Sequence, residues 1–238
     1  MASKSILNIL GKGKPSKIQK PQSVSSPSRV LDLNLGDGWE VASQTCLIYT
    51  PKPTRKEDEA RSEAQVSKDL KTKVAAFDLD HTLIKSKSGA KNFSIAPTDW
   101  KWLFPSVPQK LRELADQGFQ VLIFTNQGVT VVKKDSKSMG NFTTKMQLIF
   151  CQLPVKLYAA CRLPKKTVSL DGKDFRKPST EMWQLALLHL GISKDDIDME
   201  NSFFVGDAAG RPDDFSDSDK VFAHRIGLTF HVPEEYFV

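Results

Sequence analysis

The sequence predicts an α/β fold: a mostly parallel sheet, doubly wound, with helices on both faces. Short, continuous apolar runs of strand length alternate with amphipathic helical segments along most of the chain. Strands that are apolar throughout indicate a sheet covered on both faces, as parallel sheets are. Polar clusters directly follow several of these runs, and ligands in such sheets bind beyond the carboxyl ends of the strands.

The elements follow one another in a regular order. Strands are predicted at 45–50, 73–79, 119–124, 155–160, 202–205 and 228–230, and helices at 107–118, 141–153, 179–190 and 217–226. The first helix shows the pattern that defines the others, because Leu111, Leu114 and Ala115 fall on one face. Glycines stand at predicted helix ends, at Gly118 and Gly191, where a helix stops readily.

The 238-residue chain is long enough for one domain with a sizeable core. It carries 34 Lys and Arg against 28 Asp and Glu, and six of the bases but none of the acids fall within residues 1–30. The formal excess therefore lies wholly in that segment. We predict a flexible basic arm at 1–37 and a domain at 38–238, with a polar surface insertion at 51–72.

Several classes of protein are excluded by composition. No apolar run approaches the length of a membrane helix, so we expect no membrane association. The three cysteines are an odd number without a C-x-x-C pair, which excludes a disulfide framework and argues against a zinc module. A hydrophobic content of 39% is too high for a wholly disordered chain.

Polar residues cluster where four predicted strands give way to the next segment. In chain order the clusters are Asp78-Leu79-Asp80-His81-Thr82, Thr125-Asn126-Gln127, Arg176-Lys177-Pro178 and Gly206-Asp207-Ala208-Ala209-Gly210-Arg211. Asp78 and Asp80 stand two apart in an extended segment, so their side chains point to the same side. Such carboxylates repel one another unless a positive charge lies between them or one carries a proton.

Together the clusters supply a carboxylate pair, a hydroxyl, an amide, a cation and a further carboxylate. Phosphoryl transfer through an aspartyl intermediate needs these groups: one carboxylate attacks phosphorus, and a second protonates the departing oxygen. The hydroxyl, amide and lysine stabilise the phosphoryl oxygens. Mg²⁺ suits such a site, because it binds one or two carboxylates together with phosphate and water.

On these motifs the chain resembles the haloacid-dehalogenase-like phosphatases. More narrowly, it resembles the DNA 3′-phosphatase domains of the polynucleotide kinase 3′-phosphatases and their stand-alone relatives. The resemblance runs from about Gly38 to the C-terminus and rests on AAFDLDHTLI, Thr98-Asp99-Trp100, PQKLRELADQGFQVLIFTNQ, Arg176-Lys177-Pro178, VGDAAGRP, DFSDSD and PEEYF. It implies a haloacid-dehalogenase-like fold without a large cap and a Mg²⁺-dependent phosphoric monoester hydrolase.

The resemblance also implies roles for single residues. Asp78 is expected to be the nucleophile, Asp80 the general acid/base, and Thr125 and Lys177 the pair that stabilises the phosphoryl group. Asp207 is expected to bind Mg²⁺ together with Asp78 and the backbone carbonyl of Asp80. Substrate contacts are expected from Thr82, Asn126, Arg176 and Arg211.

Three further residues receive weaker expectations from the same motifs. Asp214 and Asp219 are expected to contact and position the main site residues. His81 stands where many relatives have glycine, and its side chain either crowds the site, contacts substrate or lies exposed as a bystander.

Two observations bear on the substrate. The motifs are too close in sequence for a large cap domain, and an open site admits the end of a polymer but cannot enclose a small metabolite. Residues 83–104 also carry aromatic rings among lysines, which either stack on a single-stranded end or belong to the core. They are Phe93, Trp100, Trp102 and Phe104, with Lys85, Lys87, Lys91 and Lys101.

We therefore expect a Mg²⁺-dependent polynucleotide 3′-phosphatase that acts on DNA with 3′-phosphate ends in nuclear DNA repair. The chain has no G-x-x-x-x-G-K-[ST] loop, so 5′-kinase activity is not expected. Two alternatives remain: a capless phosphatase of a small phosphomonoester, and a catalytically idle DNA-repair scaffold. We expect a monomer. Its arm is a solvated tail without a role, a segment for nuclear import, DNA tethering or repair-factor binding, or an organellar targeting peptide.

Overall fold

A computed structural model of the chain describes residues 35–52, 71–89, 96–130, 136–163, 169 and 171–238. Nearly all of the predicted arm at 1–37 lies outside the described residues, as does most of the predicted insertion at 51–72. Both stay predictions. Phe93 and Lys91 also lie outside the described part of the chain.

Seven strands of the described residues form one sheet. They are Trp39–Ser43 (β1), Cys46–Tyr49 (β2), Val74–Phe77 (β3), Gln120–Thr130 (β6), Lys156–Arg162 (β7), Phe203–Val205 (β8) and Thr229–His231 (β9). Their order across the sheet is β1-β2-β7-β6-β3-β8-β9. The run from β7 to β9 is parallel, whereas the hairpin of β1 and β2 joins β7 antiparallel. The predicted α/β class with a mostly parallel sheet is confirmed.

The first strand of the parallel part, β3, lies at its centre. The chain moves outward on one side through β6 and β7, then crosses back to β8 and β9 on the other side. The order of the strands therefore reverses at β3. In open α/β sheets, ligands bind at this switch point, outside the carboxyl ends of the strands.

Helices cover both faces of the sheet, as predicted. They are Val107–Asp116 (α1), Lys137–Phe150 (α2), Glu181–Leu190 (α3), Ser218–Ile226 (α4) and the short Pro233–Tyr236 (α5). The apolar faces of α1 and α2 pack in one core layer, and those of α3 and α4 pack in the other. Successive residues of the central strands alternate between the layers: Ala75 and Phe77 face α1 and α2, whereas Val74 and Ala76 face the other pair.

Two parts of the sheet differ from the predictions. Strand β6 does not end at Phe124 but continues to Thr130, with one irregularity in its pairing with β7. The polar residues Thr125 and Asn126 therefore pair with β7 as members of the strand, because backbone pairing does not depend on apolar side chains. Strand β1 was not predicted, since its half-exposed side chains give no continuous apolar run.

A second, two-stranded antiparallel sheet follows β3, made of Ile84–Lys85 (β4) and Lys101–Trp102 (β5). Three of the four aromatic residues predicted either to stack on a substrate or to join the core belong here. Trp100, Trp102 and Phe104 pack against the core layer of α1 and α2, and Trp102 lies edge-on to Phe150. The structure favours the core for these three rings, because their contacts are with other apolar side chains.

Among the residues that the structure describes, no helix combines the length and the apolar character needed to cross a bilayer.

Candidate active site

The predicted polar clusters meet at the carboxyl edge of the sheet, around the end of β3. Asp78 is the first residue after β3, and its backbone N–H continues the ladder by donating to the oxygen of Val205 at 2.9 Å. Asp207 follows β8, Thr125 lies in β6, and Lys177 precedes α3. Segments far apart in the sequence thus bring their side chains to one rim.

A buried ion cluster forms the centre of this rim. Lys177 Nζ lies 2.5 Å from Asp78 Oδ1 and 2.7 Å from Asp219 Oδ1. The three residues are 5%, 7% and 2% exposed, respectively. Burial by itself lowers the pKa of Lys177, but the two carboxylates outweigh it and raise that pKa above its ordinary value. Lys177 is therefore held as a cation beside Asp78.

Asp219, which the sequence ranked below the main site residues, proves central to this cluster. It lies in the first turn of α4, and its Oδ2 accepts the backbone N–H of Ala208 at 3.1 Å. A Cβ on Gly206 would lie 2.5 Å from the same oxygen, so only glycine allows the carboxylate to sit there. Gly206, which directly precedes Asp207, is therefore required by its packing against Asp219.

Three carboxylates converge beside Lys177. One oxygen each from Asp78, Asp207 and Asp219 lie within 4.8 Å of one another. Burial raises the pKa of Asp78 well above its ordinary value, against the lowering effect of Lys177. Burial, with Asp219 next in importance, raises the pKa of Asp207 to about 7. One lysine does not neutralise three carboxylates, and a set of hard oxygen donors suits a divalent cation such as Mg²⁺.

The side chain of Asp80 faces a different neighbour. Gln127 Nε2 donates to Asp80 Oδ2 at 2.9 Å and to Thr125 Oγ1 at 2.8 Å. Burial raises the pKa of Asp80, and the Gln127 hydrogen bond opposes this. The predicted metal contact of Asp80 involves its backbone carbonyl, so this arrangement of the side chain is compatible with it. Gln127 itself was not predicted as a site residue.

Two of the predicted substrate-binding residues hold the loop that carries Lys177. Asn126 Nδ2 donates to the oxygen of Lys177 at 3.0 Å, and the backbone N–H of Lys177 donates to Asn126 Oδ1 at 2.8 Å. Arg176 Nη1 donates to the oxygen of Gln127 at 2.8 Å and to that of Ala160 at 3.3 Å. These bonds favour positioning over the predicted direct contact for Asn126, and tie Arg176 to the ends of β6 and β7.

The other two predicted substrate contacts are also engaged in the fold. Arg211 pairs with Asp214 at 2.9 Å and Glu234 at 3.5 Å, and donates to the oxygen of Asp207 at 3.2 Å. Asp214 also accepts the backbone N–H groups of Ala209 and Arg211, which holds the turn that follows Asp207. Thr82 is fully buried, and a substrate contact there would require the rim to open.

His81 lies directly after Asp80 in an unusual backbone conformation. Its φ is +63°, in the left-handed region that favours glycine, and its N–H donates to the oxygen of Ile84 at 2.8 Å. An L-residue is strained there by about 1 kcal/mol. Glycine would adopt this conformation without strain, and the His81 side chain is exposed.

Two other polar residues near the rim, Lys145 and Asp99, were not predicted as site residues. Lys145, on α2, is 7% exposed, and burial lowers its pKa while the charges of Asp80 and Asp99 raise it. Asp99 accepts the N–H of Ser88 at 2.7 Å and the hydroxyl of Ser86 at 3.1 Å. Asp99 therefore ties the segment after β4 to the segment before β5, and the charge of Lys145 interacts with both Asp99 and Asp80.

A separate cavity of about 370 Å³ lies beside the carboxyl end of β7. Asp78, Asp207 and Asp219 are not among its lining residues, but Arg176 forms part of its wall. Its lining is Thr45, Cys161, Leu163, Ser169, Gly172, Lys173, Asp174, Phe175 and Arg176.

Comparisons with known proteins agree on a family. A sequence model of the family described as polynucleotide kinase 3 phosphatase matches residues 73–237. The chain is similar to the polynucleotide 3′-phosphatase ZDP of Arabidopsis thaliana, with 38% identity over 70% of this chain and 24% of that protein. It is also similar to the polynucleotide 3′-phosphatase of Saccharomyces cerevisiae, with 32% identity over 69% of this chain and 87% of that protein.

A third relative, the bifunctional polynucleotide phosphatase/kinase of Schizosaccharomyces pombe, is 42% identical over 70% of this chain. The chain spans only 24% of the plant protein and 38% of the fission yeast protein. Among solved structures, one described as a HAD-like phosphatase from Mesorhizobium loti has a TM-score of 0.50 and 16% identity. It covers 79% of this chain and 78% of its own. That likeness concerns the fold alone.

Proposed function

The chain belongs to the polynucleotide kinase 3 phosphatase family, and we propose that it removes 3′-phosphates from DNA ends with Mg²⁺ as cofactor. The family and the haloacid-dehalogenase-like fold predicted from the sequence are confirmed. The contact between Lys177 and Asp78, within a cluster of three carboxylates, carries the proposal. Burying such charges costs several kcal/mol per ion unless they are well paired, and phosphoryl transfer needs this combination of groups.

In the first step, Asp78 attacks the phosphorus of the terminal phosphate opposite the leaving O3′. A bond forms between an Asp78 oxygen and phosphorus while the bond from phosphorus to O3′ breaks. Asp80 gives its proton to O3′, and its raised pKa supports a carboxyl group that holds a proton beforehand. The products are a DNA 3′-hydroxyl and phosphorylated Asp78.

In the second step, water hydrolyses the phosphorylated aspartate. Asp80, now ionised, takes a proton from water while the water oxygen attacks the phosphorus. The bond to Asp78 breaks and inorganic phosphate leaves. Asp78 is again a carboxylate, and Asp80 again carries its proton.

The remaining rim groups stabilise charge on the phosphoryl oxygens. Lys177 supplies a fixed positive charge, and the Thr125 hydroxyl supplies a hydrogen bond. Asp78, Asp207 and the backbone carbonyl of Asp80 would hold Mg²⁺, with Asp219 fixing Lys177 beside them. When bound, Mg²⁺ neutralises the phosphate and reduces its repulsion by the attacking carboxylate.

Three observations support a polynucleotide as the substrate. The relatives from Arabidopsis and budding yeast are named polynucleotide 3′-phosphatases. In the described residues between Asp78 and Thr125, the chain forms only the two short strands β4 and β5, α1 and the start of β6. Such a small structure leaves room for the end of a long chain. Lysines border it at Lys85, Lys87 and Lys101 and could meet the DNA backbone.

We place this activity in the repair of DNA strand breaks in the nucleus, because a terminal 3′-phosphate blocks the hydroxyl that extension and ligation require. The basic segment at 1–30 would bind DNA phosphates or repair factors. Deleting it should reduce the salt dependence of DNA binding, by a slope of about 0.9 for each phosphate that the segment neutralises in the intact chain. An unchanged slope would exclude DNA binding by this segment.

Phosphate release from four substrates tests the proposal. They are an oligonucleotide with a 3′-phosphate, the same oligonucleotide with a 5′-phosphate, and two small phosphomonoesters, a histidinol phosphate and a heptose phosphate. We expect kcat/KM to be at least about 100-fold higher for the 3′-phosphorylated strand, and activity to disappear when Mg²⁺ is chelated.

Each contrary outcome has a clear meaning. A preference for one of the small phosphomonoesters would replace DNA as the substrate. No release from any of them would make the chain a scaffold. Equal rates with and without chelator would remove Mg²⁺ from the mechanism.

A further inference from the structure

One amide group touches two of the groups to which the mechanism assigns proton roles. Gln127 Nε2 lies 2.9 Å from Asp80 Oδ2 and 2.8 Å from Thr125 Oγ1. Gln127 and Thr125 stand two apart in β6, so their side chains leave the strand on the same side. The side chain of Gln127 therefore links the predicted acid/base to the predicted phosphate-stabilising hydroxyl.

The chemistry of the partners fixes which end of the amide faces them. In the second step Asp80 is an ionised carboxylate, which only accepts hydrogen bonds, so at that stage it requires the NH₂ end of Gln127. That group has two protons, and the two contacts use both. Gln127 Nε2 is thus committed to the site itself and has no proton left for the substrate.

These two hydrogen bonds have different consequences. Thr125 Oγ1 accepts from Gln127, which leaves its own hydroxyl proton to be donated to a phosphoryl oxygen. Asp80 accepts at Oδ2, which leaves Oδ1 as the oxygen that carries a proton to O3′. Each group is thereby set in the orientation that its role in phosphoryl transfer requires.

Neighbouring groups keep Gln127 in place. Arg176 Nη1 donates to the backbone oxygen of Gln127 at 2.8 Å, which fixes the strand where the side chain begins. Asn126, its neighbour in β6, is bonded to the backbone of Lys177 in both directions. The amide is therefore held between two fixed segments rather than at the tip of a mobile loop.

We propose that Gln127 is a positioning residue that directs the Thr125 proton towards the phosphoryl group and reserves Asp80 Oδ1 for proton transfer. This inference rests on the proposed function, because it concerns the acid/base step of the same site. It adds a residue to which the sequence motifs assigned no role.

Leaving groups of different basicity test the proposal. O3′ of DNA is an alkoxide unless it receives a proton, whereas the nitrophenolate of p-nitrophenyl phosphate leaves without one. We expect Gln127→Met to lower kcat on the 3′-phosphorylated oligonucleotide about 50-fold with little change in KM. The burst of nitrophenolate should slow by less than about 5-fold, because its release needs no acid.

Two further variants keep the result interpretable. Gln120→Met makes the same change at the other end of β6, where Gln120 meets Lys156, and should leave both rates within about 2-fold. Gln127→Glu keeps the shape but replaces the donor by a group that repels Asp80. It should show the same contrast between the two substrates, even where Gln127→Met folds poorly.

Equal losses on both substrates would overturn the proposal, since they would show an effect on the fold or on phosphate binding alone. Wild-type rates on both substrates would overturn it too. Failure of the proposed DNA activity is a separate result, because glycerol 2-phosphate can then replace the oligonucleotide as the alkyl substrate. The ratio of alkyl to aryl rates still tests Gln127.

Discussion

The apolar layers of the sheet and the polar rim at its carboxyl edge are buried almost equally, but burial stabilises the layers and costs free energy at the rim. In the layer of α3 and α4, Phe124 and Phe222 are fully buried, with ring centroids 5.5 Å apart. At the rim, Asp78 and Lys177 are 7% and 5% exposed. Burying a large apolar side chain gains about 1.5–3 kcal/mol, whereas burying an ion costs several kcal/mol before pairing is counted.

The difference shows where stability and chemistry reside. The layers contain apolar groups that satisfy one another, so substitutions there are expected to change stability first. The rim contains three carboxylates and one lysine in close contact, which is an arrangement that folding alone would not favour. Substitutions at the rim should therefore change activity greatly and stability little, or even increase stability.

The largest expected effect comes from Asp78→Asn. The amide cannot attack phosphorus, so turnover of a 3′-phosphorylated oligonucleotide should fall at least about 10⁴-fold, with little change in Tm. Phosphate release and thermal unfolding measure the two effects. Asp195→Asn, an exposed carboxylate away from the rim, is the control and should match the wild type. Retained Mg²⁺-dependent turnover in Asp78→Asn would refute the nucleophile.

A core substitution should show the reverse pattern. Leu111 on α1 is fully buried, so Leu111→Ala should lower the free energy of unfolding by about 2–5 kcal/mol. Leu188→Ala makes the same change at a leucine that is 78% exposed and should cost less than about 0.5 kcal/mol. Denaturant titration measures both, and kcat of folded Leu111→Ala should remain within about 3-fold of the wild type. A large loss of kcat would contradict the expectation that substitutions in the layers change stability and substitutions at the rim change activity.

A substitution of Asp207 should increase the free energy of unfolding, whereas Leu111→Ala should lower it. Its pKa rises from 3.8 to about 7 on folding, so the folded state binds more protons than the unfolded state between these values. The contribution of Asp207 to the stability of the metal-free protein should therefore be greatest below about pH 4 and be lost as pH rises through about 7. Asp207→Asn removes this loss and should raise the free energy of unfolding by about 1–2 kcal/mol at pH 8.

Mg²⁺ completes the test of Asp207. Wild-type Tm at pH 8 should rise when Mg²⁺ is added, because a ligand that binds only the folded state stabilises it. Asp207→Asn should gain much less from Mg²⁺ and lose activity. A variant less stable than the wild type at pH 8 without Mg²⁺ would contradict the cost assigned to this carboxylate.

The smallest expected effect on stability is at His81, where the strain lies in the backbone conformation and does not arise from buried charge. His81→Gly relieves a φ of +63°, but it also gives the unfolded chain more freedom. The two effects leave a net stabilisation of about 0.5 kcal/mol, measured by denaturant titration. We expect kcat/KM on DNA to stay within about 2-fold. A loss of more than about 10-fold would assign His81 to the substrate.

The apolar layers and part of the rim could be predicted from the sequence because both follow from the pattern of a parallel sheet. Apolar runs mark strands, and in a parallel sheet the residues after each strand must meet, which places Asp78, Thr125 and Asp207 together. Asp219 was ranked low because it lies on a helix, and nothing in the spacing of DFSDSD shows that the helix turns this carboxylate back to Lys177.

Gln127 and Lys145 were missed for related physical reasons. A glutamine at the end of a strand is ordinary, and its value here depends on two partners that come close only when β6 extends beside the Asp80 loop. Lys145 lies among apolar positions on α2, where the helical pattern favours a core residue. Such contacts depend on tertiary packing, and local pattern does not reveal them.

The most direct test of the rim's chemistry is to find the phosphoryl group on the protein. A 3′-phosphorylated oligonucleotide is mixed with the enzyme and Mg²⁺, the reaction is quenched in acid within milliseconds, and the peptides are analysed by mass spectrometry. We predict one phosphoryl group on Asp78, which appears before free phosphate and is absent from Asp78→Asn. Phosphate release without that adduct, or with the phosphoryl group on another residue, would contradict the account.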